Sequence, residues 1–462
     1  MSDAGASAAE HAAQAGGKKN PSTKPSVDTL TLFGLISGKL KPVRRFAPGS
    51  RTDKIGLAMG GPLEGIRVID WTIWQQGPVA SVMLADLGAE VIKIEERERG
   101  DPGRGVMAVA GIPVNNGLPN FYHEANNRHK KSLAVNLKKP EGREIIYRLA
   151  AKSDVFLQNF RQGVAERLEL DYPRLRACNP RLIYANATGY GPEGPESGEP
   201  SFDYLGEARS GIMMAIGTDD AKPSYIFGGV ADQMGAIMLA HGIVVALFAR
   251  ERLGVGQEIH ASHLGSMIAL QGLNVACRAM MGTQMTPRSR RSAFNPLWNH
   301  YRCADGKWLC LGMLQADRYW KDFCRMAGLD ELAADPRFAT IAARGANAEA
   351  LIEILDGVFA AKPRSEWLRK LREEGDFVAT VVNTIDDLPD DPQVVANGYI
   401  VDYNHPKIGP TKIVGLPLKF SETPGNPRGR APELGEHTEE VLAGLLGYSW
   451  EEIHQLRERQ VI

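Results

Sequence analysis

The stretch Ile66–Glu95, with the sequence IRVIDWTIWQQGPVASVMLADLGAEVIKIE, decides the fold class of this chain. Its two ends, Ile66–Trp71 and Val91–Glu95, are short and largely apolar, as expected for strands buried in a sheet. Between them, Pro78–Leu87 has the composition of a helix, which Gly88 closes. Two strands joined by a helical crossover run parallel in one sheet, so the stretch predicts an α/β fold.

The alternation of strands and helices continues and predicts a parallel sheet that is covered on both faces. From about residue 286 the pattern changes and predicts a smaller α+β domain. The further predicted strands are Ser132–Leu137, Val155–Phe160, Leu182–Asn186, Trp308–Met313 and Phe377–Val382, and the predicted helices are Pro140–Lys152, Val164–Leu170, Tyr204–Ile216, Arg318–Met326, Ala350–Ala361, Ser365–Glu374, Thr438–Leu446 and Ser449–Arg459, with Thr438 and Ser449 as N-caps.

Residues 1–60 are expected to form a flexible N-terminal arm. Residues 1–27 are rich in Ala, Gly, Ser and Lys, a composition that is typical of disordered segments. Leu30–Leu40 has a weak helical periodicity and is followed by a basic stretch. We therefore expect globular structure to begin near Pro62.

Composition and charge exclude several classes of function. The net charge of the 462 residues is −1, so there is no basic field of the kind that nucleic-acid binding requires. The five cysteines are an odd number without CxxC spacing, which argues against a disulfide framework or a zinc site and fits a reducing cytoplasm. We find neither a signal peptide nor a bilayer-spanning apolar run. We expect a cytoplasmic protein that binds neither nucleic acid, nor a membrane, nor a metal.

The turn after the first predicted strand does not have the dinucleotide-binding pattern. Its sequence, Thr72–Pro78, lacks the GxGxxG glycines that allow a backbone to approach a pyrophosphate. The bulky Trp74 stands where such a turn needs small residues, and the chain contains no Walker A motif. An NAD-dependent dehydrogenase is therefore disfavoured.

A second informative stretch is Phe227–Gly235, FGGVADQMG, which places Asp232 just before the apolar run Ala236–Phe248. Because this run is apolar on every side, it predicts a buried helix. Asp is a favoured N-cap, and the helix dipole keeps a carboxylate at that end ionised, which is the form that a carboxylate nucleophile needs. From this stretch Asp232 is a structural cap or a nucleophile, and the two roles are compatible.

Taken together and in order, the motifs of this chain resemble those of the class III CoA-transferases, the family of formyl-CoA transferase and carnitine CoA-transferase. The resemblance covers about residues 62–462. It rests on the segments GPLEGIRVIDW, QQGPVASVMLADLGAEVIKIE, GDPGR, KKSLAVNLKKPEG, VFLQNFRQGVAERLELDY, GYGPEGP, FDYLGEARSG, GGVADQMGA, LGVGQEIHASHLGSM and APELGEHTEEVL.

The resemblance implies a specific architecture. It implies a Rossmann-like large domain, 61–285, to which the C-terminal segment 391–462 returns, and a small domain, 286–390, between them. It also implies an interlocked-ring dimer, of identical chains or of this chain with a homologous subunit. Coenzyme A is then a substrate, in the form of acyl-CoA, and no tightly bound cofactor is expected.

The resemblance also implies a covalent mechanism that transfers CoA from a donor such as succinyl-CoA to an acceptor carboxylic acid. In this mechanism Asp232 forms a mixed anhydride with the donor acyl group and then an aspartyl-CoA thioester. Gln75 matches a glutamine near the acyl group, where its amide would hydrogen-bond developing negative charge. Its alternative role is that of a polar residue at the start of a helix.

Other positions match residues that line the CoA channel of the family. One departure concerns Glu96, which stands where formyl-CoA transferase has a CoA-binding arginine, with Arg97 or Arg104 as candidates to replace it. Each of these side chains alone has a structural alternative as a surface charge or a core aromatic. The implied CoA-binding residues are Gln76, Arg97, Arg104, Asn127, Lys130, Asn159, Phe160, Arg161, Arg167, Thr188, Gly189 and Tyr190.

Two alternative functions remain open. An α-methylacyl-CoA racemase would share the fold, but Phe202 stands where such enzymes carry a histidine and cannot move a proton. A non-catalytic subunit of a heteromeric transferase is the other alternative, and the presence of Asp232 and Gln75 argues against it. The glycine-rich loop of oxalate-using members is not found between Ser292 and Gly312, which argues against oxalate as the acceptor. Trp74, Met213, Met214 and Trp298 favour a larger apolar or aromatic acid, although packing in the core explains the two methionines equally well.

Overall fold

A computed structural model describes residues 61–114, 117–217 and 222–462 of the chain. The predicted N-terminal arm, including Leu30–Leu40, lies outside the described residues. The order of the elements follows the predicted alternation of strands and helices from β1 onward.

Six strands form the central sheet in the order β5 (Lys131–Ala134), β2 (Glu90–Glu95), β1 (Arg67–Trp71), β6 (Val155–Gln158), β7 (Ile183–Thr188) and β8 (Glu258–Ser262), and every neighbouring pair is parallel. The predicted parallel sheet is therefore confirmed. The other strands are β3 Ala108–Val109, β4 Ile112–Pro113, β9 Trp298–Arg302, β10 Trp308–Gly312, β11 Ala379–Val382, β12 Ile400–His405 and β13 Gly409–Val414.

Helices cover both faces of the sheet and surround the smaller sheet β11-β10-β9. The α-helices are α1 Gln76–Asp86, α2 Phe121–Asn127, α3 Pro140–Ala150, α4 Val164–Arg167, α5 Tyr172–Cys178, α6 Asp203–Ser210, α7 Ile212–Ala215, α8 Val230–Leu253, α9 His263–Leu270, α10 Gly272–Met281, α11 Ala316–Ala327, α12 Ile341–Ala346, α13 Ala348–Phe359, α14 Arg364–Glu373, α15 Pro392–Asn397 and α16 Trp450–Glu458, and a π-helical turn spans Glu440–Leu445.

Several elements differ from the sequence prediction, among them β9, α5, α9 and α10, which were not predicted. Strand β8 was not predicted, because its five residues EIHAS are polar and short. The predicted helix Tyr204–Ile216 is two helices, since Gly211 adopts a φ of 86° between them. Thr438 does not cap a helix; its hydroxyl accepts a hydrogen bond from the Ala134 amide instead, whereas Ser449 caps α16 as predicted.

Alternate residues along β1 face opposite sides of the sheet and belong to different hydrophobic clusters. Ile69 packs with helices α3 and α5 and with C-terminal residues that include Val441 and Ile462. Val68 packs on the other side, against α1 and α8. A further cluster is made entirely of residues between Leu297 and Phe377. The C-terminal residues thus complete the core beneath the first strand.

Helix α8 is buried on one face only, which corrects the expectation of a helix that is buried all round. Residues such as Leu239 and Ile243 are buried against α1 and the sheet. On the opposite face, Ile237, Val245 and Phe248 are exposed, Phe248 by 62 %. Within the described residues, α8 is the helix that is long and apolar enough to cross a membrane by length and composition. Its packed face identifies it as a helix of the protein core.

Two fully buried ion pairs lie beneath the loop that follows β1. The ammonium group of Lys130 is 2.8 Å from Asp70 Oδ2, and that of Lys93 is 2.8 Å from Asp101 Oδ2. Burial alone would raise the pKa of Asp70, but the charges of Lys130 and Lys93 outweigh it and lower the pKa to about 2. The stability that Asp70 contributes is therefore present above about pH 4 and lost as the pH falls towards 2.

We expect Lys130→Met to lower the free energy of unfolding by about 3–5 kcal/mol, because it leaves the Asp70 carboxylate buried without its nearest partner. Urea unfolding monitored by circular dichroism measures this change. Lys131→Met is the matched control, since the neighbouring Lys131 is partly exposed and pairs with Glu90 and Glu440 at the surface, where ion pairs contribute about 0–1 kcal/mol. Equal losses in the two variants would contradict the assigned role of the buried pair.

Candidate active site

A cleft of about 670 Å³ opens at the carboxyl ends of the parallel strands. The chain adds strands on one side of β1 first and then crosses to β6 on the other side, so the topological switch point lies between β1 and β6. Ligands of open α/β sheets bind at such points. Here the Asn159 side chain bridges the two strands' loops, accepting from the Ile73 amide at 2.9 Å and donating to the Ile73 carbonyl at 2.7 Å.

Asp232 lines this cleft from the first turn of α8. It is not the N-cap: the helix begins at Val230, after Gly228 and Gly229, both of which have a positive φ. The capping acceptor is Asp203, whose Oδ1 accepts from the Ala231 amide at 2.6 Å and from the Asp232 amide at 3.1 Å. Because Asp203 caps the helix, the Asp232 carboxylate, 16 % exposed, is free to face the cleft.

His263 contacts the Asp232 carboxylate and was missed by the sequence analysis. Its Nε2 lies 2.9 Å from Asp232 Oδ1, and its Nδ1 lies 3.3 Å from Ser201 Oγ. His263 is the first residue of α9, directly after β8. The sequence signal for His263 is its position directly after a parallel strand, because such residues lie at the edge of the sheet where ligands bind. Since β8 was not predicted, this signal could not be recognised.

The two glutamines at the start of α1 approach the beginning of α8 closely. A side chain at Gly229 would collide with the Gln75 amide, and one at Gly235 would collide with the Gln76 amide. Gln75 Nε2 donates to the Gly228 carbonyl at 3.3 Å and is not hydrogen-bonded to Asp232. Gln76 Nε2 is buried at the cleft without a hydrogen-bond partner among the described residues, so it is a donor that a ligand can satisfy.

Two aromatic residues of the cleft carry further signs of function. Trp74 has a φ of 66°, a conformation that costs a non-glycine residue about 1–3 kcal/mol and that clusters at functional sites. Its amide donates to Asp101 Oδ1, so the buried Lys93–Asp101 pair holds it. Burial and the negative charge of Asp232 raise the pKa of Tyr122, which keeps the phenol protonated as a donor.

The chain is similar to known proteins over most of its length. The sequence matches CoA-transferase family III over residues 63–438. The chain belongs to the class III CoA-transferases. It is 30 % identical to the (R)-2-hydroxy-4-methylpentanoate CoA-transferase of Clostridioides difficile, covering 87 % of this chain and 99 % of the relative, and 32 % identical to the succinyl-CoA–D-citramalate CoA-transferase of Chloroflexus aurantiacus, covering 87 % and 98 %.

The fold comparison leads to the same family. A CAIB/BAIF family protein from Brucella suis superposes with a TM-score of 0.74 at 30 % identity, over 84 % of this chain and 100 % of the other. The resemblance read from the motifs is thereby confirmed, and the chain is an enzyme of the class III CoA-transferase family that transfers CoA between acids.

The structure of this CoA-transferase brings half of the implied CoA-binding residues to the cleft. Arg161 lines the cleft, is exposed, and carries a permanent positive charge. Phe160 lines the cleft while its ring packs on Trp71 at 4.4 Å between centroids, so one edge of the ring belongs to the core. The implied residues that line the cleft are Gln76, Asn159, Phe160, Arg161, Thr188 and Gly189.

Lys130 and Asn127, two residues of the implied set, are hydrogen-bonded inside the protein. The Lys130 ammonium is fully buried and donates to Asp70, to Asn127 Oδ1 and to two backbone carbonyls, those of Pro78 and Asn126. Asn127 is itself buried and donates to His123. Both side chains support the loop after β1 from below and have no free group for a ligand.

Arg104 is also engaged inside the protein. Its guanidinium donates twice to the Glu95 carboxylate, at 2.8 and 2.7 Å, and once to the Pro432 carbonyl. Arg97 pairs with Glu98, and Glu96 accepts from the amides of Glu98 and Arg99. Both arginines are thus paired, Arg104 with a buried glutamate and Arg97 with an exposed one, and neither is among the residues that line the cleft.

The remaining predicted residues lie outside the lining of the cleft. Arg167 is exposed on α4, and Tyr190 is half-buried in the loop after β7. Trp298 lines a separate cavity of about 350 Å³ with Arg288 and Arg290, and Met213 is buried. Neither Trp298 nor Met213 is among the residues that line the cleft.

We expect Asp203→Ala to lower the free energy of unfolding by about 1–2 kcal/mol, since two amides of α8 lose their acceptor. Asp203→Asn keeps an acceptor oxygen and serves as the matched control, with a clearly smaller loss. Urea unfolding of the two variants measures the difference. If Asp203→Asn destabilises the protein as much as Asp203→Ala, the charge rather than the capping oxygen would be the stabilising feature.

Proposed function

We propose that Asp232 is the nucleophile of CoA transfer in this enzyme. The observation that supports the proposal is the partly exposed Asp232 carboxylate in the first turn of a 24-residue helix, facing the cleft at the switch point of the sheet. The helix dipole favours the ionised form. Because Asp203 provides the cap, Asp232 is not needed as the capping acceptor, and its carboxylate is available for chemistry.

The proposed reaction has four steps. Asp232 attacks the thioester carbon of the donor, CoA leaves as a thiolate, and a mixed anhydride forms. The thiolate attacks the aspartyl carbon, which releases the donor acid and leaves an aspartyl-CoA thioester. The acceptor carboxylate attacks the same carbon and expels the thiolate. The thiolate finally attacks the acceptor acyl carbon and frees Asp232.

The walls of the cleft favour an acceptor acid with an apolar or aromatic body. Trp74 and Phe202 lie edge to face, with 6.1 Å between ring centroids, and both line the cleft beside Asp232. If the apolar body of the acceptor acid packed against these rings, its carboxylate would point towards Asp232. A relative acts, by its name, on (R)-2-hydroxy-4-methylpentanoate, an acid with such a body. We propose succinyl-CoA or a similar thioester as the donor, as the name of another relative indicates.

The racemase alternative is disfavoured by the same contacts. Inversion at a carbon next to a carbonyl needs an acid and a base that face the carbon from opposite sides. The histidine near Asp232 is instead in direct contact with it, at 2.9 Å between His263 Nε2 and Asp232 Oδ1, so no carbon fits between them. The presence of an accessible carboxylate in the cleft also disfavours a non-catalytic subunit.

We expect Asp232→Ala to abolish CoA transfer while the protein stays folded. With acyl-CoA and hydroxylamine, the wild-type enzyme should lose activity and carry a hydroxamate on the peptide that contains Asp232, because hydroxylamine attacks the anhydride or the thioester. A panel of acyl-CoAs and carboxylic acids supplies the assay, and peptide mass spectrometry locates the adduct.

Asp376→Asn is the control, since this carboxylate is exposed and lies 3.5 Å from the Arg318 guanidinium. It belongs to the segment between Leu297 and Phe377, whose buried residues form a separate cluster. The variant should transfer CoA and form the adduct as the wild type does. CoA transfer at the wild-type rate by Asp232→Ala would contradict the proposed mechanism.

We further propose that a second copy of the chain covers the exposed face of α8. Ile237, Val244, Val245 and Phe248 are exposed together on this helix, and contiguous apolar surface of this kind marks an interaction site. A homodimer would remove it from water; a homologous subunit is the alternative partner. The interlocked-ring arrangement that the family resemblance implies is part of this proposal.

We expect Phe248→Glu to weaken or abolish the dimer, because a charge would have to be buried at the interface. Sedimentation velocity at several protein concentrations measures the oligomeric state. Trp450→Glu, which alters an exposed aromatic at the start of α16, is the control and should leave the state unchanged. A wild-type chain that sediments as a monomer at all concentrations would contradict the homodimer.

A further inference from the structure

His263 is held in one orientation beside Asp232. Its side chain is only 6 % exposed, and it packs against α6 at Gly206, where a side chain would come within 2.7 Å of the His263 Cβ. One ring nitrogen meets Asp232 and the other meets Ser201. The ring therefore has little freedom to turn away from the carboxylate.

The contacts determine which ring nitrogen carries a proton. A carboxylate only accepts hydrogen bonds, so the 2.9 Å contact requires a hydrogen on His263 Nε2. Nδ1 then faces the Ser201 hydroxyl, which donates to it when the ring is neutral and accepts from it when the ring is charged. In both states Nε2–H points at Asp232 Oδ1.

No step of the proposed reaction calls for a general acid or base. The nucleophiles are carboxylates or the CoA thiolate, and the leaving groups are the same species, so no proton changes place. An imidazole in contact with the nucleophile must therefore act by its N–H group as a donor.

We propose that His263 is a catalytic residue that stabilises the oxyanion formed on Asp232 itself. The inference rests on the proposed function of Asp232 as nucleophile and extends it. Because Oδ1 is held by His263, Oδ2 is the oxygen that attacks the acyl group. After acylation Oδ1 is the carbonyl oxygen of the aspartyl anhydride and of the aspartyl thioester.

Two of the four steps attack the aspartyl carbon, first by the CoA thiolate and then by the acceptor carboxylate. In each, the carbonyl double bond to Oδ1 opens and a full negative charge develops on that oxygen. The charge returns to the bond when the donor carboxylate or the thiolate leaves. His263 Nε2–H is already at a distance that suits an oxyanion donor, which is 2.7–3.1 Å.

The interaction is stronger in these transition states than in the acyl-enzyme that precedes them, since a neutral carbonyl oxygen becomes an anion. Only such differential stabilisation accelerates a step. In the first step the same hydrogen bond stabilises the free carboxylate and gives no advantage. His263 should therefore speed the steps at the aspartyl carbon and leave formation of the first anhydride little changed.

The test compares His263→Leu, which removes the donor, with His263→Gln, which keeps a side-chain N–H. We expect kcat to fall by about 10²–10³-fold in His263→Leu, with little change in KM for acyl-CoA, and to recover by at least tenfold in His263→Gln. Rapid quench and intact-protein mass spectrometry should show His263→Leu accumulating the covalent adducts on Asp232. His454→Leu, which alters an exposed histidine on α16, is the control and should match the wild type.

The outcomes separate this inference from the proposed function. Wild-type kcat in His263→Leu, together with an inactive Asp232→Ala, would overturn the role of His263 and leave Asp232 as the nucleophile. Loss of activity in His263→Leu with no covalent adduct and a raised KM would also overturn it, because that pattern indicates loss of binding or of local structure. An active Asp232→Ala would instead remove the proposed function itself.

Discussion

The cleft depends on the two buried ion pairs beneath the loop after β1. Charges that are removed from water must be paired with good geometry, or they destabilise the fold. Here the two partners of one buried pair also hold the loop. Lys93 donates to the Thr72 carbonyl, and Asp101 accepts from the Trp74 amide. The loop thus has few conformations available, and Trp74 is held in a backbone conformation that it would not adopt alone.

The start of α8 divides two tasks between two aspartates. A helix N-terminus needs an acceptor for its free amides, and a nucleophile needs an unengaged oxygen. Asp203, from α6, satisfies the amides of Ala231 and Asp232, and Asp232 presents its carboxylate to the cleft. The two glycines before Val230 allow this arrangement, because their left-handed conformations bring the chain close to Gln75 without a side chain in the way.

Much of the frame could be predicted from the sequence, because local patterns determine it. The strand–helix–strand unit at 66–95 and the placement of Asp232 at the start of a long helix both follow from short-range signals. The rest depends on contacts between distant residues. Lys130 looks like a surface lysine until its partner Asp70, sixty positions earlier, is known. His263 follows a short polar strand, and its contact with Asp232 exists only once β8 has joined β7.

Helix α8 carries both the nucleophile and an exposed apolar face. Its 24 residues span about 36 Å at 1.5 Å per residue, and hydrogen bonds along its length make it nearly rigid. Phe248, near one end, and Asp232, near the other, therefore belong to one stiff element. If a second copy of the chain covers the exposed face, the surface that builds the dimer and the carboxylate in the cleft are positioned by the same helix, several turns apart.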